Sequence, residues 1–62
     1  MTKQEYKQAH PNHELVISPA QSGPFQDRIY MEGTVVNAGK RLGFWEHTVY
    51  DDGKESFVVR LH

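Results

Sequence analysis

The chain has 62 residues, a formal net charge of −1 and no cysteine. A domain of this length buries only about 60% of the surface of its unfolded chain, so its stability is marginal. The lack of cysteine excludes disulfides and thiolate metal sites. The charged residues are scattered and form no basic stripe, which argues against nucleic acid as a partner. No apolar run is long enough to span a membrane, and the polar start does not resemble a signal peptide, so we expect one soluble, cytoplasmic domain.

The first 13 residues predict a short helix or an irregular arm. Thr2 and Glu5 have the spacing of a capping box, which favours a helix over residues 3–9. Pro11 ends it, because the residue before a proline is pushed out of helical conformation. A helix of about two turns is too short to be stable alone in water, so it must dock on the rest of the chain.

Residues 14–62 predict an antiparallel sheet. Residues 14–18 favour a strand, and residues 19–27 have the composition of a loop. Three longer strands are then predicted, at residues 28–37, 40–50 and 55–61. The connections Asn37-Ala38-Gly39 and Asp51-Asp52-Gly53 are typical of hairpin turns. The expected fold is mainly β, an antiparallel meander of three to four strands with a short N-terminal helix or irregular segment.

The register of the meander depends on both hairpin turns. If both are three-residue loops with glycine in the left-handed position, Met31 faces Trp45, and Trp45 faces Val59. Side chains alternate along a strand, so one face collects His47 and a predicted apolar core. The core residues are Ile29, Met31, Val35, Trp45, Val49, Phe57, Val59 and Leu61. The same register sets Gly33 opposite Gly43, a notch that indicates first a bend or bulge and only second a ligand contact.

The opposite face combines apolar and charged side chains, and we predict it as an interaction face. Its apolar candidates are Tyr30, Val36, Leu42, Phe44 and Val58; its charged residues are Glu32, Arg41, Glu46 and Arg60. One short chain cannot cover apolar groups on both faces of a sheet. The sequence therefore predicts a homodimer or higher oligomer, or binding to another protein, through this face or the free edge of the last strand.

We predict no catalytic residue, no metal site and no cofactor. His10 and His13 have the spacing of two ligands on one helix, but Pro11 between them prevents that geometry. Glu46 and His47 are adjacent on a strand and point to opposite faces, so they cannot form an acid–base pair. Glycine-rich phosphate loops and nucleophile turns are absent.

From Glu14 onward the chain resembles the C-terminal half of hotdog-fold acyl-CoA thioesterases of the phenylacetate-pathway type. The resemblance depends on strand and turn motifs: Ser18-Pro19-Ala20, Ser22-Gly23, residues 27–36, residues 39–46 and residues 49–54. It implies a sheet wrapped around a long central helix, dimers that join edge to edge, and an acidic or asparagine active-site residue after a His-Gly-Gly turn. This chain has neither that helix length nor that turn, so no catalytic residue is carried over.

Two functions remain open. The preferred one is a small, non-enzymatic protein-interaction or oligomerisation module. The alternative is a hotdog-like acyl-CoA thioesterase or acyl-binding remnant that is complete only as an oligomer, with Glu32 or Glu46 as the candidate acid. A nucleic-acid-binding barrel using Tyr30, Phe44 and Trp45 as stacking platforms is a third option, which the net charge argues against.

Overall fold

The fold is an antiparallel sheet with one short helix packed on it. The computed structural model describes residues 1–62. The sheet order is β1-β3-β4-β5, and β2 pairs with the start of β3. The elements are α1 (Lys3–Ala9), β1 (Glu14–Ile17), a 3-10 turn (Pro19–Gln21), β2 (Gly23–Pro24), β3 (Arg28–Asn37), β4 (Lys40–Tyr50) and β5 (Glu55–Leu61). The predicted fold class is confirmed, and the one helix is too short and too polar to cross a membrane.

Helix α1 begins with the predicted capping box. The Thr2 hydroxyl accepts a hydrogen bond from the Glu5 backbone N–H (3.1 Å), and the Glu5 carboxylate accepts one from the Thr2 backbone N–H (2.8 Å). The hydrogen bond from the Thr2 backbone lowers the pKa of Glu5. The helix docks through Tyr6, which is 4% exposed. We call the side of the sheet under α1 the core face.

The core is small. Tyr6, Val35, Trp45 and Phe57 form the buried cluster, and partly buried Leu15, Met31, Leu42 and Val59 pack around it. The predicted core face is thus correct at its centre and wrong at its rim. Ile29 and Leu61 are 52% and 51% exposed, because α1 has only seven residues and does not extend over them.

The register between β4 and β5 is the predicted one, whereas that between β3 and β4 differs. Trp45 faces Val59 as expected, but on its other side it faces Gly33, and Met31 faces His47. The cause is the first turn, where Ala38 and Gly39 both have positive φ (52° and 77°), which gives a two-residue connection. Such a turn alone would flip every later side chain to the other face.

A bulge between Val35 and Val36 restores the alternation. Val35 pairs with Gly43 and Val36 with Arg41, so that Leu42 is the extra residue without a partner. As a result, side chains beyond the bulge stay on their predicted faces of the sheet, while the residue of β4 opposite each residue of β3 shifts by two positions. Leu42 is the exception: predicted on the interaction face, it packs against the core cluster.

Gly33 and Gly43 mark bends, as predicted, although they do not lie opposite each other. Gly33 faces Trp45, and Gly43 faces Val35. A Cβ atom on Gly33 would lie 1.8 Å from the Val16 carbonyl oxygen, and one on Gly43 would lie 2.1 Å from the Arg60 carbonyl oxygen. Both outer strands, β1 and β5, therefore approach these glycines closely and curl over the core face.

Candidate functional site

The face of the sheet turned away from α1, which we call the open face, holds most of the predicted interaction residues. Phe44 and Val58 are 48% and 40% exposed, and Tyr30 and Val36 are half-buried. Val16, 43% exposed, belongs to the same face, since it pairs with Thr34. Sequence reasoning missed Val16, because the long loop before β3 fixes no register for β1. The structure thus places four of the five predicted residues together and moves Leu42 to the core.

Two carboxylates lie opposite each other at the centre of the open face. Glu32 on β3 pairs with Glu46 on β4, an arrangement that is repulsive when both are ionised. Each has a neighbour that offsets the repulsion. The Tyr30 hydroxyl donates to Glu32 Oε2 at 2.6 Å, and Arg60 Nη1 lies 3.6 Å from Glu46 Oε1.

The contact with Glu32 also changes the acidity of Tyr30. The hydrogen bond to the Glu32 carboxylate, aided by partial desolvation and the charge of Glu46, raises the pKa of Tyr30 to about 12. The phenol is therefore a hydrogen-bond donor throughout the physiological range and does not serve as a base.

An open cleft of about 230 Å³ adjoins the two carboxylates. Its walls include Ser18 just before the 3-10 turn, Gln21 at the end of that turn, and Phe44 and Arg60 on the sheet. A carboxylate in such a cleft can polarise a water molecule or bind a donor group. The cleft lacks an enclosed apolar tunnel, because it is open to solvent and only two of its eight lining residues are hydrophobic.

Ser22 lies near the same cleft and has a structural role. Its hydroxyl donates to the Ser18 carbonyl (2.9 Å) and accepts from the Glu32 backbone N–H (3.1 Å). The first hydrogen bond closes the loop around the 3-10 turn, and the second ties that loop to β3. No base contacts this hydroxyl, so it does not have the surroundings of an activated nucleophile.

The histidines form no shared site. His47 is buried on the core face, where its Nε2 lies 2.8 Å from Glu55 Oε2 and its Nδ1 has no partner. His10 and His13 do meet: their rings stack at 4.7 Å, because a turn after the helix brings them together. The Tyr6 hydroxyl is hydrogen-bonded to His13 Nδ1 at 2.8 Å. No group of three or more metal-ligating side chains forms.

A family model for the thioesterase superfamily matches residues 21–58. The match includes β2, β3, β4 and part of β5, and it covers more than half of the chain. The chain therefore belongs to the thioesterase superfamily, the hotdog group that its turn and strand motifs resemble. Comparisons with curated proteins and with solved structures gave no match.

Proposed function

We propose that this chain is a non-enzymatic association module, a thioesterase-superfamily sheet that works by pairing with a second copy of itself. The observation that carries the proposal is the apolar surface left exposed around β5. Val58 and Leu61 on this strand are 40% and 51% exposed, and Phe44 on the adjacent strand is 48% exposed. Exposed apolar side chains beside a free sheet edge are typical of association surfaces.

The charges of the open face favour a second copy as the partner. The face has Glu32 and Glu46 as well as Arg41 and Arg60, so two such faces related by a two-fold axis can set opposite charges near each other. The net charge of −1 creates little repulsion between copies.

The dependence of thermal stability on concentration tests this proposal. If folding is coupled to association, the melting temperature rises with protein concentration by mass action. A melting temperature that stays constant from micromolar to millimolar protein, with a cooperative transition, would show that the folded unit is self-sufficient and would overturn the proposal.

A second candidate is hydrolysis of an acyl thioester by the assembled protein, and the superfamily match is the observation that favours it. In this reaction water attacks the thioester carbonyl, the carbon–sulfur bond breaks, and a carboxylic acid and a thiol leave. Glu32 or Glu46 would accept the proton of the attacking water, since both border the cleft.

An acyl-CoA panel separates the two candidates, with the matched variants Glu32→Gln and Glu46→Gln as controls. If the protein is a hydrolase, one of the two variants should lose turnover by about 100-fold or more while its fold is retained. If the unmodified protein shows no turnover above background, the association module is the only one of the two candidates that remains. Turnover that both variants retain would exclude these two carboxylates as the base.

A further inference from the structure

A second concave surface, which we call the aromatic groove, lies at the corner of the open face where β3 begins and β4 ends. Its volume is about 340 Å³. Arg28 on β3 pairs with Tyr50 on β4, and Tyr30 pairs with Thr48, so these four side chains point to the same face. Phe25, between β2 and β3, forms the remaining wall. None of the five residues lines the cleft beside the two carboxylates.

Backbone hydrogen bonds hold the aromatic groove in shape. The Phe25 N–H donates to the Arg28 carbonyl at 2.8 Å, and the Asp51 N–H donates to the Asp27 carbonyl at 3.1 Å. The loop that contains Phe25 is thus tied both to β3 and to the turn after β4. The rings of Phe25 and Tyr30 are 6.5 Å apart and tilted by 51°, so neither covers the face of the other. A ligand therefore meets aromatic surface that is already positioned.

The polar side chains of the aromatic groove are hydrogen-bond donors without partners in the chain. The hydroxyls of Thr48 and Tyr50 take part in no intramolecular hydrogen bond. The Arg28 guanidinium lies 5.7 Å from the Phe25 ring centroid and forms no ion pair with a carboxylate. No carboxylate lines the groove. It therefore offers aromatic surface, free donors and one positive charge.

This combination selects one kind of ligand. A cation is disfavoured, because Arg28 repels it and already occupies a place over the Phe25 ring. A peptide that binds as a β-strand brings backbone N–H groups that need acceptors. A proline-rich segment brings almost none, since proline has no backbone N–H. In the polyproline II conformation its carbonyls have no internal partners, and its rings pack well on aromatic side chains.

We propose that the aromatic groove binds a proline-rich segment of another protein, with an acidic residue next to the prolines. The proline rings pack on Phe25 and Tyr50, which are 55% and 40% exposed. The hydroxyls of Tyr50 and Thr48 donate to carbonyls of the segment, and the free charge of Arg28 pairs with its acidic side chain. This activity goes beyond self-association, because the groove uses none of the exposed apolar residues around β5.

Titration with synthetic peptides, followed by the amide resonances of the labelled protein, tests the ligand class. The probe is a blocked peptide of one glutamate followed by about six prolines, which form two turns of polyproline II helix. It should bind saturably and shift the amides of Phe25, Arg28 and Tyr50. A peptide with lysine in place of the glutamate should bind about fivefold more weakly. A peptide with glycine in place of the prolines should not bind.

Matched variants test the place of binding. Phe25→Ala should weaken binding of the glutamate–proline peptide by about tenfold or more. Phe44→Ala is the control and should leave it unchanged: Phe44 is 48% exposed on the same face, and the Arg41 guanidinium lies 5.6 Å from its ring centroid, as Arg28 does over Phe25. Arg28→Glu should reverse the preference, so that the lysine peptide binds more tightly than the glutamate peptide. Arg41→Glu should not reverse it.

Loss of binding in Phe25→Ala but not in Phe44→Ala, together with the reversed preference of Arg28→Glu, supports a proline-rich ligand in the aromatic groove. Absence of saturable binding by the unmodified protein would overturn the proposal. Equal binding of the glycine peptide would overturn the ligand class, and equal weakening by the two alanine variants would overturn the site. If Phe25→Ala fails to fold, the comparison of Arg28→Glu with Arg41→Glu decides.

Discussion

Trp45 connects three parts of the molecule. It is 2% exposed, its indole N–H donates to the Val16 carbonyl at 3.3 Å, and the Lys3 ammonium lies 5.3 Å from the ring centroid. Phe57 packs beside it, with ring centroids 6.2 Å apart. One side chain on β4 thus contacts β1, the start of α1 and β5.

We therefore expect Trp45→Ala to unfold the domain. Truncation of a buried tryptophan costs about 3 to 5 kcal/mol, which is comparable with the whole free energy of unfolding of a domain this small. Circular dichroism on heating is the measurement, and Trp45→Phe, which keeps most of the buried volume, is the control. An unchanged melting temperature in Trp45→Ala would contradict the placement of this residue at the centre of the core.

Tyr30 should titrate at unusually high pH. Its pKa of about 12 in the folded protein lies above the usual value of about 10 that it regains on unfolding. The protonated phenol is therefore favoured by the fold: its contribution to stability is complete below pH of about 10 and is lost as the pH rises through about 12.

Ultraviolet absorbance of tyrosinate against pH checks this expectation. Glu32→Gln removes the carboxylate that accepts the Tyr30 hydrogen bond, so the Tyr30 pKa should fall towards its usual value in that variant. A Tyr30 titration that is the same in both proteins would show that the contact with Glu32 does not exist in solution.

The hairpin between β3 and β4 shows what the sequence could and could not predict for an element. Alternation of apolar residues predicts which residues share a face, and the three long strands have the predicted bounds. The turn itself was not predictable, because a two-residue connection requires Ala38 at positive φ (52°), which an alanine rarely adopts. The bulge at Leu42 then preserves the faces while changing the partners.

The contact between β1 and β3 depends on the absence of a side chain at Gly33. Gly33→Ala would place a methyl group 1.8 Å from the Val16 carbonyl oxygen, so β1 must move away and the Trp45 hydrogen bond is lost. We expect a lower melting temperature and faster exchange of the β1 amides. Gly23→Ala is the matched control, since a Cβ atom there meets nothing within 4 Å. Equal stability of the two variants would contradict the close crossing of these strands.

The sheet has more apolar surface than the single short helix can cover. One seven-residue helix buries Tyr6 over the centre of the core face, while Phe44, Val58 and Leu61 stay exposed. The sequence predicted this surplus from apolar residues on both faces. It could not predict how the surplus is arranged, because the register of β1 and the bulge at Leu42 are set by tertiary packing.

We propose that a second copy of the chain covers this surplus of apolar surface, and sedimentation velocity of the unmodified protein is the decisive measurement. Across the micromolar range we predict a shift from monomer to dimer as concentration rises, with a folded spectrum throughout. A single folded monomer at every concentration would show that the chain does not self-associate.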